Sequence, residues 1–429
     1  MENGFKVEDR DYNLYHTSYY EDHDIGDDKI SLNVGAPGVD VLRSSAQFML
    51  KSTQMRLEKE IAGNGDLLQY GSMMGDPDYR KNVAKLLSEE YNDDVHWSSL
   101  LTTSGATAGL SLLAGAFFNA GDYIFIEDPT YFQVNRIVGI DLGLKTVPIP
   151  FTDDGINLEI LTKEIEVRRP KDFRPTTERP FWALMYAITV YQNPTGICYS
   201  KEKCEKLLKL ARKNNIMIIC DDVYNLLCLN KNDGDDFERA PPRLLQYDVK
   251  SDEDYFGNVV SNGSFSKVLG PGLRLGWIEA PLVVLSKLLM NGCLIGGGAL
   301  NHYTSGIVAC SLNTELFNNY LLMVKNEGKR KLDAVADVVT KCCPKTVKYK
   351  IPEGGYFMWF ELPSSFDVQA FGDVCKRKHN ISFTHGVTCS TAGNWQNCIR
   401  ICFMYYPVDE LVKGVRTLLC ELDSRLNAQ

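Results

Sequence analysis

Residues Trp182 to Tyr224 read WALMYAITVYQNPTGICYSKEKCEKLLKLARKNNIMIICDDVY, and three patterns follow one another within them. The run Trp182 to Val190 is apolar on both alternating faces and is closed by the turn-forming Asn193-Pro194. Lys201 to Asn214 changes period: Leu207, Leu208 and Ala211 share one helical face, with lysines around it. Ile216 to Cys220 is again apolar on both faces and ends in Asp221-Asp222. A strand that hides both faces needs a layer on each side, and a helix between two such strands is the usual crossover of a parallel sheet. The stretch therefore predicts an α/β layer with a largely parallel sheet.

The same alternation extends outward. Tyr123 to Ile126 is a short apolar run ended by Asp128-Pro129, and Asn258 to Val260 is a fourth strand candidate before Ser264. The polar segment Lys231 to Gly257, with Pro241-Pro242 inside it, reads as a surface excursion between strands. From about Tyr320 the pattern becomes a long charged helix, Met323 to Thr340, followed by strand-like Tyr356 to Glu361 and Asn397 to Phe403. The expected organisation is an acidic arm over 1–29, a large domain over 66–319, and a smaller α+β domain built from 30–65 with 320–429.

Composition excludes several classes of function. The 429 residues carry 46 basic and 55 acidic side chains, a net charge of −9, which disfavours general affinity for nucleic acid or anionic membranes. Hydrophobic residues at 44% and charged residues at 24% are globular proportions, so the chain is neither disordered nor fibrous. The 13 cysteines are odd in number and have no CxxC spacing, which reads as reduced thiols of a cytoplasmic protein. The six histidines form no HExxH pair, so no metal is expected. The first 29 residues hold nine acids and three bases, unlike a secretory or mitochondrial leader. The ten-residue apolar stretch Phe181 to Val190 is half a membrane span.

Chemistry concentrates in Ser264-Phe265-Ser266-Lys267-Val268-Leu269-Gly270-Pro271-Gly272-Leu273-Arg274. A lysine just past a buried strand, among hydroxyls and glycines, suits Schiff-base formation, because burial lowers its pKa. Serine hydroxyls and an arginine fork suit a phosphate. Asp221, at the end of an apolar strand with Tyr224 three residues on, suits a protonated heterocycle nitrogen and a neighbouring ring oxygen, or caps the next helix. Asn193-Pro194-Thr195-Gly196 reads as a turn. Ser104-Gly105-Ala106-Thr107 opens an apolar helical segment, Leu110 to Phe118, whose first amides can face an anion. Tyr131 follows another strand end, where a ring can stack on a flat ligand.

In this order and spacing, together with Tyr70-Gly71, Gly75, Asp76-Pro77 and Arg400, the motifs resemble the class I/II aminotransferases, pyridoxal-phosphate enzymes of fold type I. The resemblance spans roughly residues 30–425. Ser264 to Lys267, followed by Gly270-Pro271-Gly272-Leu273-Arg274-Leu275-Gly276-Trp277, is similar to the α-aminoadipate, kynurenine and aromatic branch. It implies a large domain with a mostly parallel seven-stranded sheet sandwiched by helices, plus a smaller α+β domain.

The resemblance also implies roles. Lys267 holds pyridoxal 5′-phosphate covalently and moves the substrate proton. Asp221 keeps the pyridine nitrogen protonated, and Tyr224 and Asn193 bond the phenolic oxygen. Ser264, Ser266, Arg274 and the amides of Gly105, Ala106 and Thr107 hold the phosphate, while Tyr131 stacks on the ring. Arg400 clamps the substrate carboxylate, and Gly35 lets the backbone approach it. Tyr70 reaches a partner's site, which implies a homodimer with shared active sites. The implied reaction moves an amino group from an α-amino acid to a 2-oxo acid such as 2-oxoglutarate. The same motifs also admit a carbon–sulfur lyase, a cyclopropane-carboxylate synthase or an amino-acid-sensing domain. Asn301-His302-Tyr303, after Gly296-Gly297-Gly298, departs from the proline and phenylalanine common in relatives and leaves the substrate open.

Overall fold

The computed structural model describes residues 29–427. The acidic arm expected over 1–29 lies outside the described residues except for Lys29. The strands in chain order are β1 (Ile30–Ser31), β2 (Leu100–Thr103), β3 (Tyr123–Asp128), β4 (Lys145–Thr152), β5 (Gly155–Ile156), β6 (Ala183–Ala187), β7 (Ile216–Asp221), β8 (Val259–Ser264) and β9 (Gly276–Glu279). They continue as β10 (Lys348–Tyr349), β11 (Phe357–Glu361), β12 (Ile381–Ser382), β13 (Thr384–His385) and β14 (Cys398–Cys402).

The large sheet has the order β2-β9-β8-β7-β6-β3-β4-β5. Its centre, from β8 through β7, β6 and β3 to β4, is parallel, and β9 and β5 run antiparallel to their neighbours. That is eight strands against the seven expected. The extra one is the two-residue β5, which folds back on the end of β4 through the Asp153-Asp154 turn and pairs Phe151 with Ile156.

The crossover helix spans Lys201–Asn214, as its pattern predicts. Ser200 caps its start by accepting from the Lys203 amide, and Asn215 ends it in the left-handed region at φ 53°. Its buried face carries Cys204, Leu207, Leu208 and Ala211. Each leucine contributes about 1.5–3 kcal/mol of burial. The predicted strand Trp182 to Val190 is shorter, ending at Ala187. The Ile188 amide leaves the ladder to bond the Glu127 carboxylate at 3.1 Å. β8 runs beyond Val260 to Ser264, because β9 pairs with those polar residues, Ser264 facing Gly276.

The second sheet is antiparallel, β10-β11-β14-β13, and sets Arg400 between Trp359 and Thr384. β1 pairs separately with β12. The long charged helix runs over Glu315–Cys342, several residues longer at its start than Met323. Phe48, Phe265 and Phe317 form one aromatic chain, with centroids 6.0 and 6.3 Å apart, that ties the loop after β8 to these helices. Among the described residues, no helix is long and apolar enough to cross a membrane.

Candidate active site

The parallel strands β3, β6, β7 and β8 all point their C-terminal ends to one edge, where open α/β sheets present ligand-binding groups. A cleft opens there. It is lined by Ala106, Thr107, Tyr131, Asn193, Asp221, Tyr224, Ser264, Ser266, Lys267 and Arg274, so most of the sequence-predicted residues converge. An adjoining pocket holds Gly35 and Arg400 and shares Tyr131, Asn193, Tyr224 and Lys267 with the first.

One end of the cleft is built for an anion. The helix Ala106–Phe117 begins behind Gly105, which sits at φ 88°. A Cβ on Gly105 would stand 2.8 Å from the Arg274 guanidinium, so only glycine leaves this space open. Arg274 donates to the carbonyls of Ser104 and Pro271, both at 3.1 Å, and reaches the Ser266 hydroxyl at 3.5 Å. The Ser264 hydroxyl donates to Ser266 Oγ at 2.9 Å and accepts from the Ser266 amide at 3.1 Å. No carboxylate pairs with Arg274 among the described residues, and the first amides of the helix have no intrahelical partner.

The floor of the cleft is Asp221. Its Oδ2 accepts a short hydrogen bond from the Tyr186 hydroxyl, while Oδ1 is buried without a partner. Burial pushes this carboxyl up to about 6, against the Tyr186 hydrogen bond and the nearby Lys267 charge, which favour ionisation. Asp222 does not share the cleft. It turns away and takes the Ser261 hydroxyl at 2.5 Å, as expected if adjacent strand residues alternate faces.

Lys267 stands between the two ends. Its Nζ donates to the Gly35 carbonyl at 2.6 Å, and its own carbonyl accepts from the Tyr356 hydroxyl at 2.7 Å. Burial draws its ammonium down to about 8, so a minority is already neutral amine near pH 7 and most is neutral by pH 9. Gly35 abuts Phe357, which would meet a Cβ at 2.8 Å.

At the other end Arg400 is 2% exposed. It donates to Asn193 Oδ1, the Asn33 carbonyl and Thr384 Oγ1, each at 2.9 Å, and lies 4.1 Å over the Phe357 ring. Its Nε has no partner. Asn193 Nδ2 approaches the Tyr224 hydroxyl at 3.4 Å. Tyr70 is the predicted residue that the fold leaves out of the cleft, 79% exposed on the surface.

Sequence reasoning missed Tyr186, Gln133, Phe357 and Glu127. Gln133 accepts from the Tyr131 hydroxyl at 2.7 Å, which steers the ring. Tyr186 sits inside an apolar strand and looks like core, so no local signal marks its hydroxyl. Gln133, two residues after Tyr131, was the most findable of these.

The pattern described as aminotransferase class I and II matches residues 27–414, and the chain belongs to that family. Aromatic-amino-acid aminotransferase 1 of Thermococcus litoralis is 26% identical to it over 391 residues, 91% of this chain and 87% of that protein. The 2-aminoadipate transaminase of Thermus thermophilus is 26% identical, over 82% of this chain and 80% of that one. The solved multiple substrate aminotransferase from Thermococcus profundus has the same fold. Its TM-score is 0.79 at 24% identity, covering 100% of this chain and 97% of that chain. The activity is amino transfer dependent on pyridoxal phosphate.

The residues present fit that cofactor. An unpaired buried carboxylate oxygen faces the cleft from the floor, suited to a protonated ring nitrogen. A cationic cradle that a Cβ would fill lies at one end, suited to a phosphate. A lysine of lowered pKa lies between them, suited to an aldehyde.

Proposed function

We propose that this enzyme takes its amino group from an α-amino acid with an aromatic side chain and passes it to a 2-oxo acid such as 2-oxoglutarate. The observation that carries the donor class is the pocket beside Arg400. Its lining sets Val34, Tyr131, Phe132 and Phe357 beside the polar Asn33, Gln133 and Asn193. Kynurenine is a donor of this kind, and α-aminoadipate is the acidic comparison.

The cofactor supplies an electron sink for negative charge developing at the substrate α-carbon. Lys267 would hold it covalently and, as a neutral amine, would accept and deliver the proton at the substrate α-carbon. Asp221 Oδ1 stabilises a proton on the ring nitrogen. Tyr224 and Asn193 would hydrogen-bond the cofactor's phenolic oxygen, and Tyr131 would pack against its ring. Ser264, Ser266, Arg274 and the amides of Gly105, Ala106 and Thr107 hold the phosphate. Arg400 orients the substrate carboxylate, and the close packing of Gly35 on Phe357 bounds that pocket.

The active unit is a homodimer with Tyr70 donated across the interface. Leu68, Tyr70, Met290 and Ile295 are 74%, 79%, 75% and 56% exposed, an apolar surface suited to burial against a second copy. Their two loops are joined by the Ala299 amide bonding the Ser72 carbonyl at 2.9 Å. Residues 30–65 with 320–429 form the smaller domain and 66–319 the larger. The β1–β12 pairing supports this division. Thirteen cysteines with no disulfide support a reducing compartment, the cytoplasm.

A donor panel tests the reading. Single-turnover loss of the bound cofactor's colour is followed with aromatic amino acids, kynurenine, α-aminoadipate and aspartate. Aromatic donors should react at least about tenfold faster than aspartate and leave pyridoxamine phosphate on the protein. Faster reaction with the acidic donors would overturn the donor class. For the dimer, Tyr70→Phe and Lys267→Ala subunits are mixed. Recovered activity supports shared sites, and none after verified exchange counts against them.

A further inference from the structure

Glu127, the penultimate residue of β3, is fully buried with 0% exposure. Its Oε1 accepts from the Ile188 amide at 3.1 Å and the Tyr199 hydroxyl at 2.5 Å, and its Oε2 accepts from Gln192 Nε2 at 3.1 Å. Every one of these donors is uncharged. Tyr186 on β6 and Cys220 on β7 lie close enough to interact with it electrostatically, and both are neutral at physiological pH because burial pushes them up. Burial pushes Glu127 up to about 7, against the hydrogen bonds from Tyr199, Gln192 and Ile188 that favour its ionised form. A buried carboxyl with no counter-charge is a costly choice for a core position.

The remaining bonds show what the group holds together. Gln192 uses its second amide hydrogen on the Pro129 carbonyl at 2.8 Å. Its Oε1 accepts from the Thr195 amide at 2.9 Å and the Thr195 hydroxyl at 2.7 Å. Every donor and acceptor of that side-chain amide is used in a fixed orientation. Gln192 precedes Asn193 directly, and Pro129 stands two residues before Tyr131. The turn is also strained. Tyr191 has φ 50°, a region that costs a bulky residue on the order of 1–3 kcal/mol and persists only when its surroundings over-determine it.

We propose that Glu127 is a positioning residue: with Gln192 it forms a buried clamp that registers the Asn193 loop against the Tyr131 loop. It acts through Asn193, which bonds Arg400 and Tyr224, and through Tyr131 on the cofactor face. A carboxylate is required because two oxygens must accept from three donors without donating. A glutamine there sets its own NH2 against either the Ile188 amide or Gln192 Nε2. The inference rests on the roles given above for Asn193 and Tyr131.

The test compares Glu127→Gln, Tyr199→Phe and Asn193→Ala. Three readouts are taken: the cofactor's dissociation constant for the apoprotein, the pH midpoint of the bound cofactor's absorbance, and kcat/KM. Melting temperature is measured alongside. Glu127→Gln should move the absorbance midpoint by about half a pH unit or more, weaken cofactor binding about fivefold, and lower kcat/KM about tenfold or more. Tyr199→Phe, which removes one donor outside the cleft, should move the midpoint the same way by less. A lower melting temperature with all three readouts unchanged makes Glu127 a packing residue and overturns the proposal. If Glu127→Gln does not fold, an unmoved midpoint in Tyr199→Phe overturns it instead. If Asn193→Ala leaves every readout at the wild-type value, the assumed role of Asn193 fails. If Asn193→Ala moves them and Glu127→Gln does not, only the clamp fails.

Discussion

Two arginines stand at opposite ends of one cleft, and the fold treats them in opposite ways. Arg274 is exposed, sits at φ 46°, and bonds the carbonyls of Pro271 and Ser104 together with a serine of its own loop. Arg400 is 2% exposed and is gripped by Thr384 on the neighbouring strand and by Asn33 and Asn193, 367 and 207 positions away in sequence. The first is a local device, held by its own turn and a helix start beside it. The second is a tertiary one, whose partners exist only when the small antiparallel sheet meets the NPTG turn. Removing a locally held charge should damage its ligand alone. Removing a buried, multiply bonded one should damage recognition and stability together.

The sharpest way to break the contrast is Arg400→Ala. It should lower kcat/KM about 100-fold for aromatic, aliphatic and acidic donors alike, since all present the same carboxylate. It should also cost about 2–4 kcal/mol in unfolding free energy, because three acceptors lose their donor. Lysine should rescue poorly for lack of a planar fork. A loss confined to acidic donors would mean that Arg400 reads a distal carboxylate. Arg274→Ala should be milder. Cofactor affinity should fall about tenfold in titrations of the apoprotein, while apoprotein stability stays within about 0.5 kcal/mol of wild type. A large stability loss would erase the distinction between the two ends.

The smallest effect concerns the lysine between them. With its ammonium drawn down to about 8, the apoprotein's Lys267 is mostly protonated at pH 7 and mostly neutral at pH 9. Only the neutral amine captures an aldehyde. The capture rate, followed by stopped-flow absorbance, should rise about fivefold from pH 7 to 8 and level off above 9. A rate still climbing steeply at pH 10 would mean that the cleft does not desolvate Lys267.

The two ends also differ in how far they were legible. The anion end was read almost whole, because Ser264, Ser266, Lys267 and Arg274 lie on one short loop and Gly105 marks a helix start. Such groups meet through local geometry, which spacing encodes. At the carboxylate end, Arg400 came through resemblance to a family, and nothing nearby pointed to Asn33, Thr384 or Phe357. Tyr186 and Glu127 were hidden for another reason. A hydroxyl in an apolar strand and a carboxyl before an Asp-Pro turn look like packing and capping until their partners are seen.

By itself the sequence determined the parallel α/β layer, the crossover helix Lys201–Asn214 and the loop around Lys267. Each follows from hydrophobic period, caps and turn residues acting over a few positions. Only the tertiary structure decided that Tyr186 holds Asp221, that β6 stops at Ala187, and that Glu127 meets Gln192, 65 residues away. Those outcomes depend on which buried donor meets which buried acceptor across different elements, and no stretch of chain specifies that pairing until the layers close on one another.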